Sequence, residues 1–76
     1  MKEIFKWKKN GIIEEYSRYG TPLFMGEYKN GKRKGKGREY DDNGNLIYEG
    51  EFKNEEWNGK GNEFYKNGKI KYEGEF

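Results

Sequence analysis

Tyr48-Glu49-Gly50-Glu51-Phe52 returns unchanged as Tyr72-Glu73-Gly74-Glu75-Phe76, 24 residues later. The repeat extends well beyond this pentapeptide. Residues 24–47 laid on residues 48–71 give identities at Gly26/Gly50, Glu27/Glu51, Lys29/Lys53, Asn30/Asn54, Gly35/Gly59, Lys36/Lys60, Gly37/Gly61, Glu39/Glu63, Asn43/Asn67 and Gly44/Gly68. Rings exchange for rings at Phe24/Tyr48, Tyr28/Phe52 and Tyr40/Phe64. A short fixed period means that one supersecondary unit is stacked to build the molecule. The first 23 residues read as a worn, capping copy. Gly11, Glu15, Tyr16 and Gly20 precede Gly35, Glu39, Tyr40 and Gly44 by the same period, but Ile13 replaces a glycine and Tyr19-Gly20 replaces Asn-Gly. Residues 24–47 and 48–71 are full copies, and 72–76 begin another, so the sequence ends either at an open edge or inside a longer array.

The unit is a β-hairpin. Glycine falls every few residues, where a helix would break, and rings alternate with polar residues. Asn-Gly occurs at 10–11, 30–31, 43–44, 58–59 and 67–68, and between alternating segments it is the strongest short hairpin signal. Two-residue turns at Asn43-Gly44 and Asn67-Gly68, with longer loops at 29–34 and 53–58, predict strands at about 2–9, 12–18, 23–28, 35–42, 45–52, 59–66 and 69–76. The fold class is then all-β, a single antiparallel meander of about seven strands. A tight turn at Asn10-Gly11 conflicts with the periodic register, so the pairing of the first strand stays open.

Those turns fix a register. Lys36 faces Glu51, Arg38 faces Glu49 and Lys60 faces Glu75. One row across the sheet reads Tyr28, Gly35, Phe52, Gly59, Phe76. The next is all glycine: Gly26, Gly37, Gly50, Gly61, Gly74. A third alternates Phe24, Glu39, Tyr48, Glu63, Tyr72. Glycines make room for rings on one face. On the other, Glu27, Lys36, Glu51, Lys60 and Glu75 form a ladder of alternating sign, and opposed charges on neighbouring strands stabilise by about 0.2–1 kcal/mol per pair. A one-residue slip would send every side chain to the wrong face.

Composition narrows function. The 76 residues make one domain with no cysteine, so disulfides and thiolate metal sites are excluded. Charged residues are 39% of the chain and hydrophobic ones 30%, a balance that leans toward disorder. The fourteen aromatics placed at a strict period argue instead for a thin ring core. Histidine is absent, and Ser17 and Thr21 are the only hydroxyls outside tyrosine. Nucleophile–base pairs and the usual neutral-pH base are thereby removed. No cofactor, metal or catalytic residue is expected. A net charge of +2, with no long apolar run, points to a soluble cytoplasmic protein rather than a dedicated nucleic-acid binder.

Tyr-Glu-Gly-Glu-Phe-Lys-Asn at 48–54 followed by Gly-Lys-Gly at 59–61 resembles the MORN repeat. The Asn-Gly-Lys turn at 67–69 and the period of 24 look most like the bacterial variant of that motif. The resemblance covers residues 24–76 well and 2–23 weakly. It implies an array of hairpins in a long twisted sheet, used as scaffold, dimerisation surface or docking module, with no catalytic residues in the repeat. Some bacterial relatives are described as antitoxin-like, and lipid binding gave the family its name. The departure is Glu55-Glu56-Trp57 where the preceding copy has Gly31-Lys32-Arg33.

Candidate binding residues come from a break in the repeat. Residues 29–38 hold six cations and no acid, whereas 53–62 balance Lys53 and Lys60 against Glu55 and Glu56. With Lys36 and Arg38 assigned to the ladder, Lys32, Arg33 and Lys34 are left on a loop tip. The plainer reading is a solvated connection; the sharper one is an anion-binding edge. Trp57, at the tip of the next loop, reads either as a ring folded back on the sheet or as a contact anchor. The expected partner is another protein, with the ringed face open as a surface. Alternatives are an inhibitor blocking a nucleic-acid-processing enzyme, or attachment to anionic lipid. A homodimer through the edge of strand 69–76 also stays open.

Overall fold

The structure, a computed structural model, describes residues 10–76. Alternation of ring and polar residue builds six strands: β1 (Gly11–Tyr16), β2 (Pro22–Lys29), β3 (Lys32–Tyr40), β4 (Leu46–Lys53), β5 (Glu56–Phe64) and β6 (Ile70–Glu75). They form one antiparallel sheet in the order β1-β2-β3-β4-β5-β6. The expected strand at 2–9 lies outside the described residues. No helix is long and apolar enough to cross a membrane among the described residues.

Two kinds of turn alternate. At 17–21, 41–45 and 65–69 the chain makes three-residue loops. In the second, the Asp41 N–H donates to the Asn45 carbonyl at 2.9 Å and the Gly44 N–H to the Asp41 carbonyl at 3.0 Å; Ser17/Gly20 and Tyr65/Gly68 repeat the pattern. Gly44 and Gly68 sit at φ +85° and +87°, the left-handed residue that closes a type I turn. The two-residue turns expected there are therefore corrected to three. The predicted register survives because the following strand bulges by one residue: Glu39 faces Tyr48 but Tyr40 faces Leu46, and Glu63 faces Tyr72 but Phe64 faces Ile70.

The other turns are tighter than the expected loops. Asn30-Gly31 and Asn54-Glu55 are two-residue turns with φ of +54°, +78°, +52° and +71°. Lys29 pairs with Lys32 and Lys53 with Glu56, so 32–34 and 56–58 are strand rather than loop. The slack is taken up by a wide bulge. Between Gly26↔Gly37 and Tyr28↔Arg33, β3 uses two more residues than β2, and between Gly50↔Gly61 and Phe52↔Trp57, β5 does the same against β4. Glu27 and Glu51 fill the bulges, their carboxylates accepting from the backbone N–H groups of Lys36 at 2.7 Å and Lys60 at 3.0 Å. Gly11 faces Tyr28 as Gly35 faces Phe52, so β1 and β2 follow the periodic register; the turn at Asn10-Gly11 would pair β1 with the strand expected at 2–9, which lies outside the described residues.

Bulges leave two of the three predicted rows whole. The glycine row runs Gly26, Gly37, Gly50, Gly61, Gly74 without a break, and the row Phe24, Glu39, Tyr48, Glu63, Tyr72 is extended by Glu15 opposite Phe24. The ring–glycine row holds at Gly35↔Phe52 and at Gly59, which exchanges backbone hydrogen bonds with Phe76. Elsewhere Tyr28 faces Arg33 and Phe52 faces Trp57, because the bulge carries Gly35 and Gly59 past them.

Rings lie flat over the glycine row. A Cβ at Gly37 would stand 2.8 Å from the Phe24 ring, and one at Gly61 would stand 2.6 Å from Tyr48 Cε1. From one repeat to the next the rings meet edge to face, Tyr28–Phe24–Phe52–Tyr48–Phe76–Tyr72, with centroids 5.0–5.8 Å apart. Each such contact adds about 0.5–1.5 kcal/mol beyond the area it buries. Ile13, Phe24, Tyr28, Tyr48 and Phe52 are buried in a core one side chain thick.

Candidate functional site

Two of the four residues singled out as loop contacts, Arg33 and Trp57, pack against this core instead. Arg33 stands opposite Tyr28 on the ring face, and its guanidinium carbon lies 4.2 Å above the Phe24 ring centroid. It bonds Glu15 at 3.1 Å and Glu39 at 3.3 Å. Glu15 is 1% exposed and also accepts from the Tyr28 hydroxyl. Burial works against the charge on Arg33, but the hydrogen bond to Glu15 and the fields of both carboxylates outweigh it and raise its pKa. Arg33 is thus a structural ion, not a free cation on a loop tip.

Trp57 occupies the corresponding place one repeat later. Its indole stacks on Tyr48 with centroids 4.5 Å apart and planes 6° from parallel. Its N–H donates to Glu39 at 3.0 Å. It is half-buried, folded against the sheet. Glu39 therefore joins two repeats, taking Arg33 from one side and Trp57 from the other.

Parity separates the basic trio. Arg33, Gly37 and Glu39 point to the ring face, a Cβ at Gly35 would meet the Glu27 carboxylate in the bulge, and Lys32, Lys34, Lys36 and Arg38 point away and are exposed. On that second face Arg38 bonds Glu49 at 2.7 Å, and the hydrogen bond to that carboxylate raises the Arg38 pKa. The expected basic tip beside an aromatic anchor is not assembled. Nor does the ringed face stay open as a surface: glycines floor it and Arg33 and Trp57 roof it. Sequence reasoning missed this pairing, although one signal was available: Arg33 and Trp57 hold the same position in successive copies and share a flat shape with an N–H donor.

Exposed apolar surface lies elsewhere. Ile12 is 65% exposed at one edge, and Tyr19, 85% exposed, sits on a turn under Arg18. The last hairpin carries three: Tyr65 and Ile70 flank its turn and Tyr72 stands on β6, the outermost strand of the described sheet. Lys71 bridges this group, 3.5 Å from Glu63 and over the Tyr65 ring.

The family model that matches the chain is that of the MORN repeat variant, over residues 33–54 and 57–76, more than half of its length. Comparison with curated proteins and with solved structures finds no match.

Proposed function

The chain belongs to the MORN repeat variant family, and on that premise we propose that it is a non-enzymatic module working through protein–protein interaction. The observation that carries this is where apolar surface is left. A chain that buries Phe24, Tyr28, Tyr48 and Phe52 almost completely leaves Tyr65, Ile70 and Tyr72 about half exposed at one edge. Exposed apolar side chains rimmed by charge mark contact surfaces. Here the rim is Lys66, Lys69, Lys71, Glu73 and Glu75, all exposed.

Readings based on phosphate or lipid attraction rested on a free cluster of Lys32, Arg33 and Lys34. Arg33 is engaged by two carboxylates, and Lys32 and Lys34 face away from Trp57. Affinity capture with the tagged chain, run beside an Ile70→Asp/Tyr72→Asp variant, tests the proposal. A protein recovered by the first and lost with the second supports it. Recovery of nucleic acid or anionic lipid, undiminished in the variant, would contradict it.

A further inference from the structure

The lysines of β2 and β3 are not neutralised by the sheet that holds them. Lys29 stands directly opposite Lys32. Lys34 follows on the same face, and the pairing of Gly35 with Phe52 sets Lys53 of β4 next to it. Like charges facing each other across strands destabilise a sheet. One repeat on, the same positions relieve the conflict: Lys53 faces Glu56, and Asn58 stands where β3 has Lys34.

The ladder acids Glu27 and Glu51 are taken up by the backbone. Their carboxylates fill the wide bulges and accept from the N–H groups of Lys36 and Lys60, while that of Glu55 accepts from the Arg33 N–H. Among the described residues the ion pairs are Arg33 with Glu15 and Glu39, Arg38 with Glu49, and Lys71 with Glu63. None of them reaches Lys29, Lys32, Lys34, Lys36 or Lys53. The bulge also shapes the surface. Gly35 turns at φ +96°, and beside it opens a groove of about 440 Å³, lined by Lys34, Lys36, Lys53 and Asn58 with Glu27 and Glu51 at the bulges.

We propose that this groove binds an extended acidic segment of a partner protein, with its carboxylates over Lys32, Lys34 and Lys53. This rests on the protein-binding reading above and adds a second contact surface, on inner strands and not lined by Tyr65, Ile70 or Tyr72. The uncompensated lysines set the sign of the partner's charge. The interleaved glutamates set its kind. A nucleic-acid strand carries a phosphate at every step and would lay charge on Glu27 and Glu51 as well as on the lysines. A peptide carries acids only where its sequence puts them. Side chains on one face of an extended peptide recur about every 6.7 Å, the spacing of Lys32 and Lys34 along β3. Asn58, exposed beside them, offers both a donor and an acceptor to the backbone of such a segment.

The test titrates two synthetic octapeptides of one composition into the isotope-labelled 76-residue chain at low ionic strength. One alternates Glu with Thr; the other carries its glutamates in a block. The alternating peptide should move the amide signals of residues 32–36, 53 and 58–60 saturably, bind at least threefold tighter than the block, and weaken as salt rises. Lys34→Gln/Lys53→Gln should weaken it at least fivefold with the rest of the spectrum unchanged, whereas Lys66→Gln/Lys69→Gln should leave it as it was. Equal binding of the two peptides, no movement of these signals, or unchanged affinity in the Lys34/Lys53 variant would overturn the proposal. Tighter binding of an oligothymidylate of equal charge, or of phosphatidylserine vesicles, would do so too. If a partner protein is still captured through Ile70 and Tyr72 while the peptides fail, the basic groove falls and the protein-binding reading stands.

Discussion

Replacing Gly61 by alanine puts one methyl group where the structure places a ring. The added carbon would stand 2.6 Å from Tyr48 Cε1 and 2.7 Å from Cζ, and closer still to the hydroxyl oxygen. Tyr48 has nowhere to go. It is fully buried, stacked on its other side by Trp57, edge-on to Phe52 and Phe76, and its hydroxyl is bonded to the Glu51 carbonyl. Moving the ring forfeits a hydrogen bond of about 1 kcal/mol and loosens three ring contacts of about 0.5–1.5 kcal/mol each. Against this, alanine restricts the unfolded chain and returns about 0.4–1 kcal/mol. The expected cost is about 2–3 kcal/mol, within the range for overpacking a filled core. Urea unfolding of Gly61→Ala, Tyr48→Leu and the double variant measures it. In the Tyr48→Leu background the same methyl should cost at least 1 kcal/mol less, since contacting residues couple by roughly that amount. A Gly61→Ala cost below about 0.5 kcal/mol, or an equal cost in both backgrounds, would refute the ring-over-glycine packing.

Arg33→Met should destabilise by about 2–3 kcal/mol in thermal unfolding, because it strands the buried Glu15 carboxylate with the Tyr28 hydroxyl alone; the figure is discounted from the 3–5 kcal/mol of a fully buried pair because Arg33 is 17% exposed. Lys32→Glu/Lys34→Glu should fold normally by circular dichroism, whereas adding Arg33→Glu should abolish folding by bringing a third carboxylate to Glu15 and Glu39. Trp57→Phe keeps the stack and loses the bond to Glu39, lowering stability by about 1 kcal/mol on the same assay. Asp41 accepts from the backbone N–H of Asn45, which outweighs its slight desolvation and holds its pKa below the ordinary 3.8. A depressed carboxylate stabilises above its ordinary pKa, and that contribution disappears as pH falls through the lowered value. Carbon-detected titration should therefore find Asp41 protonating below the ordinary 3.8, and Asp41→Ala should remove the corresponding loss of stability in acid.

Register was legible because its signals are redundant. Lys36/Glu51, Arg38/Glu49, Lys60/Glu75 and the glycine row all agree, and one bulged residue after each three-residue loop restores the count that a two-residue turn would give. Turn chemistry was less legible. Asn30-Gly31 makes a type I′ turn where a longer loop was expected over 29–34, and Asn54-Glu55 makes the same turn without glycine. There, the Glu55 N–H donates to the Arg33 carbonyl, and the Arg33 N–H donates to the Glu55 carboxylate. Asn58-Gly59 is the opposite case, the dipeptide of a turn used to open a bulge. Arg33 and Trp57 were misplaced for the same reason. A loop drawn over 29–34 or 53–58 hides their parity, and parity decides whether a basic or aromatic side chain meets solvent or the ring beneath it.

The central claim is that the repeat closes its own ring face over Tyr28 and Tyr48, while the tyrosines of the last hairpin stay exposed in the surface we propose for binding. Photochemically induced nuclear polarisation, which enhances only those tyrosines a flavin dye can touch, measures both halves at once. The account predicts strong signals from Tyr19, Tyr65 and Tyr72 and none from Tyr28 or Tyr48, which are 4% and 0% exposed. Polarisation at Tyr48, or silence at Tyr72 in the free chain, would contradict it.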